Sequence, residues 1–168
     1  MARPRRIEGY DYTGAQRYFL TICTHDRAPH FLCDDPVDLV MRQFLQSAAA
    51  EGFAILVYCL MPDHMHLLVE GVSGGADLIT FTKDAKQRSA WLFKRRFRQR
   101  LWQEGYWEHV LRDSERIEDI IEYIVNNPLR KGLVERPEDY PYWGSSVYTR
   151  EAILKFIGYA SHSDRGAP

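Results

Sequence analysis

The alternation of apolar and polar positions divides the chain into strand-like and helix-like segments. Residues 17–24 (RYFLTICT) are rich in β-branched and aromatic side chains and predict a strand. Asp35-Pro36 predicts a helix start, with a capping acid and a first-turn proline. Val37, Val40, Met41, Phe44, Leu45 and Ala48 follow at helical spacing, and Gly52 closes the helix. The continuous apolar run 54–61 reads as a strand buried on both faces. Pro62-Asp63 signals a turn. In the next strand, 64–70, Met65, Leu67 and Val69 share one face, and His64, His66, Leu68 and Glu70 the other. The first face predicts core; Leu68 predicts that something covers part of the second. After the glycine-rich loop 71–75, a long helix is predicted from Asp77 to about Arg98, and a short strand over 105–112. The order β-α-β-β-α-β predicts an α+β, ferredoxin-like sandwich.

An additional C-terminal helix follows. Ser114 is its expected N-cap, and Glu115 suits the first turn. Ile117, Ile120, Ile121, Ile124 and Val125 form one apolar stripe. Counted from Ile117 at about 100° per residue, Tyr123 falls near 240° and Asn127 near 280°, together on one flank of the stripe. Pro128 ends the helix. One domain is expected over 1–150, with a C-terminal tail over 151–168.

Composition narrows the class. With 168 residues, 45% hydrophobic and 13% aromatic, the chain has ample material for one core, which excludes a disordered protein. No apolar run is long enough to span a membrane. No apolar signal core follows the basic start, so export is not expected. Cys23, Cys33 and Cys59 lack zinc-ribbon spacing and read as reduced thiols of a cytoplasmic protein. The net charge of −1 conceals a polarised distribution: residues 77–100 carry +6, interleaved with Trp91, Phe93 and Phe97. Basic groups beside aromatics suit single-stranded nucleic acid, where backbone charge and base stacking act together. A solvated helix face would give the same pattern.

The candidate chemistry lies in His64-Met65-His66. Two residues apart on a strand, the imidazoles point to one face and start roughly 6.6 Å apart. They can lean onto one metal ion, with bonds of about 2.0–2.1 Å for an ion like zinc. Two histidines leave most of the coordination sphere open, and Tyr123 and Asn127 are the residues that can complete the site. His109 reads as a strand contact, and His25 and His30 as loop residues. Tyr106, Tyr140 and Tyr142 are rival nucleophiles, although Tyr140-Pro-Tyr-Trp143 reads as a packing turn. Lys86, on the helix flanking the sheet, is either a phosphate contact or a structural lysine.

Four stretches together resemble the single-tyrosine HUH transposases, and within them the REP-associated tyrosine transposase branch. They are Tyr18-Phe-Leu-Thr21 through Arg27 and Phe31; residues 58–70 around the histidine pair; residues 101–112; and residues 123–133 followed by 140–146. The resemblance covers roughly residues 17–146. It implies that His64 and His66 bind a divalent metal, Mg or Mn, with Asn127 as third ligand. It implies further that Tyr123 attacks a phosphate of single-stranded DNA, leaving a 5′-phosphotyrosine link and a free 3′-hydroxyl that can reverse the step. The implied substrates are short palindromic hairpins. A free phenol, with a pKa of about 10, is ionised in only about one molecule in a thousand at neutral pH, so a metal is a useful partner for it. The expected DNA contacts are Lys86, Arg95, Arg96, Arg98, Arg130 and Lys131, with Arg3, Arg5 and Arg6 as an alternative surface. The expected partner is hairpin DNA, with no membrane; a monomer is favoured over an oligomer. Two other functions are compatible with the residues. One is a hairpin-binding module that does not cut. The other is a metal-dependent phosphodiesterase using water, for which Glu70 is the only local acid.

Overall fold

The structure, a computed structural model, describes residue 7 and residues 9–159. Arg3, Arg5 and Arg6, and residues 160–168 of the expected tail, lie outside the described residues. The expected elements form in the expected order: strand β1 (Arg17–Cys23), helix α1 (Asp34–Ala50), strands β2 (Phe53–Met61) and β3 (His64–Gly71), helix α2 (Leu78–Phe97) and strand β4 (Trp107–Val110). Helices α3 (Ile117–Val125) and α4 (Asn127–Arg130), strand β5 (Trp143–Gly144) and helix α5 (Arg150–Phe156) follow. The sheet has the order β4-β1-β3-β2-β5, and neighbouring strands are antiparallel.

The period-two pattern of β3 sorts its side chains between two cores. Met65, Leu67 and Val69 join Leu20, Ile22, Val40, Phe44, Phe81 and Phe93 beneath α1 and α2. Leu68, on the other face, packs with Val57, Cys59, Ile121, Ile124 and Val125, so α3 is the cover that Leu68 required. The run 54–61 is apolar throughout because β2 serves both cores. A register shift between Ile55 and Val57 places Ile55 in the first core, and Leu56 and Val57 in the second. The second core exists only on one half of the sheet. Beyond Leu68, the same face carries His64 and His66, which are themselves buried and line a cavity.

Four boundaries differ from expectation. Helix α1 begins at Asp34, with Cys33 rather than Asp35 at the cap position. Helix α3 begins at Ile117, not after Ser114. The Glu115 carboxylate accepts the Arg112 N–H and meets His109 Nε2, both at 2.7 Å, which holds 112–115 as a turn. Asn127 is not on the helix that carries Tyr123. Pro128 has no N–H to give the Ile124 carbonyl, so α3 stops at Val125 and Asn127-Pro128 opens α4. Finally, the segment expected as a tail from 151 begins as a packed helix: Thr149 caps α5, and Ile153 and Leu154 are buried in the second core. Among the described residues, no helix is long and apolar enough to cross a membrane.

Candidate active site

The site stands on the register of β1 against β3. Thr21 lies opposite His66, and Cys23 opposite His64. His64 and His66 are 7% and 4% exposed. Each ring has an outer partner on Nδ1: Asp63 Oδ1 at 2.6 Å for His64, Thr21 Oγ1 at 3.0 Å for His66. With the protons on Nδ1, both rings donate outward and turn their Nε2 lone pairs inward. The two Nε2 atoms face each other at 3.2 Å, a gap that one ion can span with bonds of about 2.0–2.1 Å. Burial, opposed by Asp63, holds the His64 imidazole below its ordinary pKa, with help from the positive charges of Arg27 and Lys131. Burial pushes His66 down to about 3, with further lowering by His64 and Arg27. Both rings are therefore neutral at pH 7, the form that binds a cation.

Asn127 is the candidate for a third donor. It is 5% exposed, and its Nδ2 lies 3.1 Å from His66 Nε2. Its Oδ1 is buried without a hydrogen-bond partner. Turning the amide over would bring that oxygen beside His66 Nε2, where a cation could satisfy it. An orphaned oxygen beside two converging lone pairs fits a divalent ion. Among the described residues, no cluster of three or more His, Cys, Asp or Glu side chains could hold a metal, so the candidate centre has two imidazoles and one amide.

Tyr123 reaches the same place from the other side. The apolar stripe of α3 faces the sheet, which leaves the tyrosine on its flank, 38% exposed. Its ring lies edge-on to His66 at 5.6 Å and to Phe19 at 5.9 Å, and the Arg130 guanidinium sits over it at 5.1 Å. Tyr123, His64, His66, Asn127 and Lys131 line one cavity of about 490 Å³.

The other expected residues go elsewhere. Lys86 is largely buried, and its Nζ donates to the backbone carbonyls of Gln103, at 3.1 Å, and Gly105. The ammonium thus has the contacts of a structural lysine, one of the two readings open for it. Burial lowers its pKa to about 8. Arg95 stacks on Trp91, Arg96 pairs with Asp35, and Arg98 caps α2, all on the layer beneath the opposite face of the sheet. His109 stacks on Trp107 and His30 meets the Arg100 carbonyl; neither joins the histidine pair. The Tyr140 hydroxyl donates to the Leu60 carbonyl, and that of Tyr142 to Asp34, so both are structural. Glu70 pairs with Arg17 and does not line the cavity. The acid next to the pair is Asp63, and Glu104 lines the cavity; the spacing of the histidines pointed to neither.

The chain has relatives among known proteins. Residues 14–127 match the family model described as "Transposase IS200 like". The chain is 31% identical to a protein of Haemophilus influenzae provisionally named as a REP-associated tyrosine transposase, covering 79% of this chain and 81% of that one. It is 21% identical to the REP-associated tyrosine transposase of Escherichia coli, covering 78% and 77%. Its fold is shared, with a TM-score of 0.70 and 22% identity, by a REP-associated tyrosine transposase solved bound to a REP hairpin, covering 85% of this chain and 82% of the other. A chain with an IS200-like match over four of its five strands, and such relatives along most of its length, belongs to the IS200-like transposase family, in the REP-associated tyrosine transposase branch.

Proposed function

We propose that the protein is a metal-dependent transesterase of single-stranded DNA, cleaving and rejoining strands at palindromic REP-type hairpins through a 5′-phosphotyrosine link. The observation that carries this reading is the meeting of Tyr123 with His64, His66 and Asn127 in one cavity, although they come from different elements. The strand order β4-β1-β3-β2 within the sheet supports a ferredoxin-like core with the tyrosine helix added to its open face. The hairpin is the ligand of the relative that shares the fold, and here it is the proposed substrate.

The Tyr123 hydroxyl attacks the scissile phosphorus. An oxygen–phosphorus bond to tyrosine forms while the bond to the 3′-oxygen breaks, and the phenolic proton is lost as the 3′-oxygen gains one. One phosphodiester replaces another, so the reverse step rejoins the strand without an external energy source. His64 Nε2, His66 Nε2 and the Asn127 amide oxygen would hold Mg or Mn. When bound, such an ion stabilises negative charge on the phosphoryl oxygens. Phe19 and Arg130 hold the phenol ring edge and face, fixing its direction. Arg130 and Lys131, on and just after α4, offer positive charge to the DNA backbone at the mouth of the cavity.

Glu70, the base that a water-using phosphodiesterase was expected to use, stands outside the cavity, and Asp63 is engaged by His64 and Arg27. A denaturing gel with labelled hairpin DNA and Mn tests the reading. The wild type should form a denaturant-resistant adduct that EDTA suppresses. Tyr123→Phe should bind the hairpin but form no adduct; an adduct in that variant would move the nucleophile to another tyrosine.

A further inference from the structure

Arg27 lines the same cavity, and its part so far is only the positive charge it places near the two imidazoles. Its backbone is unusual: Asp26 and Arg27 have φ of 52° and 56°. Side chains rarely adopt the left-handed region, and two successive residues stay there only where the surroundings impose it. Here they do. Thr24 is fully buried, and its hydroxyl lies 2.8 Å from both the Ala28 and the Asp63 carbonyls. The Thr24 N–H donates to the Asp63 carbonyl at 3.0 Å, and the Phe31 N–H to the Pro62 carbonyl at 3.0 Å. The turn at 24–28 is thereby clamped to the Pro62-Asp63 turn that begins the histidine strand.

The clamp fixes where the guanidinium goes. Nε donates to Asp63 Oδ2 at 2.9 Å, and Nη1 to Cys23 Sγ at 2.8 Å. Asp63 uses its other oxygen to hold the His64 ring. The planar fork is therefore fixed through one carboxylate to a candidate metal-binding ring, while its third nitrogen, Nη2, takes part in neither contact. The side chain is 49% exposed, so an incoming group can reach it. A surface ion pair needs neither a left-handed arginine nor a buried threonine clamp. Together they hold the guanidinium in one place on the wall of the cavity that Tyr123 also lines.

We infer that Arg27 is a catalytic residue of the strand-transfer step: its Nη2 donates to a non-bridging oxygen of the scissile phosphate and stabilises the charge gathering there as Tyr123 attacks. The inference rests on the transesterase reading above. It assigns Arg27 the transition-state contact, and Arg130 and Lys131 the binding of the strand.

Single-turnover adduct formation tests it, on hairpin DNA with the natural scissile phosphate and with each phosphorothioate diastereomer, in Mn. The wild type should slow on one diastereomer through loss of the Nη2 contact. Arg27→Ala should slow the natural substrate by about 10²–10³-fold, as for loss of one oxyanion donor, and change the hairpin Kd less than threefold. Its sensitivity to that diastereomer should collapse. Arg27→Lys should recover only part of the rate, because an ammonium lacks the fork. Arg27→Gln, which keeps a donor at the level of Nε and removes Nη2, serves if the alanine variant melts early. Should a folded Arg27 variant slow yet keep the full sulfur effect, Arg27 only props Asp63 and His64, and the inference fails. A folded variant at wild-type rate overturns it equally. If the wild type forms no adduct with any hairpin, the transesterase reading fails first, and the inference with it.

Discussion

A neutral imidazole deep in a sheet face is a liability in acid, and His66 is placed to expose it. Its folded pKa is driven down to about 3 by burial, whereas unfolding restores a value near 6.5. Between those values the unfolded chain binds the extra proton, so stability is fully present above pH 6.5 and is lost as the pH falls toward 3. The slope from this ring approaches about 1.4 kcal/mol per pH unit. Urea unfolding in EDTA at pH 7, 6 and 5 should show that loss, and His66→Asn should flatten it. An equal slope in the variant would assign the acid sensitivity to another group. At this scale three of the candidate side chains carry a pattern of their own in the sequence, because period two aligns His64 with His66 and the isoleucine stripe excludes Tyr123; Asn127 does not, since its flank position assumed a helix that stops at Val125. Nor do the partners of these side chains. Thr21 meets His66 only through a strand register spanning 45 positions, and Arg27 enters through a strained turn. Neither relation leaves a local pattern.

Among the elements, α2 acts as the brace of the cavity wall. Thr82, Lys86 and Ser89 lie on one face of the helix at successive turns. Thr82 bonds the Tyr106 hydroxyl, Lys86 the carbonyls of Gln103 and Gly105, and Ser89 the Trp102 indole. The segment 103–107 that they hold lines the cavity opposite α3. Lys86→Met would leave two carbonyls without their donor and should cost about 1–3 kcal/mol. Denaturant unfolding reads that cost, while the salt dependence of hairpin binding should not move. Unchanged stability with a flattened salt slope would return Lys86 to the DNA-binding surface. The first six elements were readable because each carries its own period and its own stop. Strand β5, two residues long, is defined only by pairing with Tyr58 and Cys59, and α4 exists only because Pro128 interrupts a helix that the stripe alone would continue.

The whole molecule has two unlike faces, and the two basic surfaces lie on different ones. One face of the sheet is sealed by α1 and α2, and the cluster Arg95, Arg96 and Arg98 belongs to that layer. Its charge is partly engaged: Arg96 pairs with Asp35 at 2.8 Å, and Arg95 lies 4.5 Å over Trp91. The other face carries the histidines, and there Lys131 lines the cavity while Arg130 covers the tyrosine ring. A phosphate seated on the histidine face beside Tyr123 brings its neighbouring backbone past α4 rather than around the edge of the sheet to α2. Each phosphate neutralised by a basic side chain contributes about −0.7 to −0.9 to the log–log salt slope. Replacing Arg130 and Lys131 together should therefore flatten the slope of hairpin binding by about 1.4–1.8 units, and replacing Arg95, Arg96 and Arg98 should leave it unchanged. Fluorescence anisotropy with labelled hairpin over a salt series in EDTA, where cleavage is suppressed, measures both. If the triple variant flattens the slope by about two units and the α4 pair does not, the strand wraps to the helical layer, and the +6 segment is the DNA surface after all.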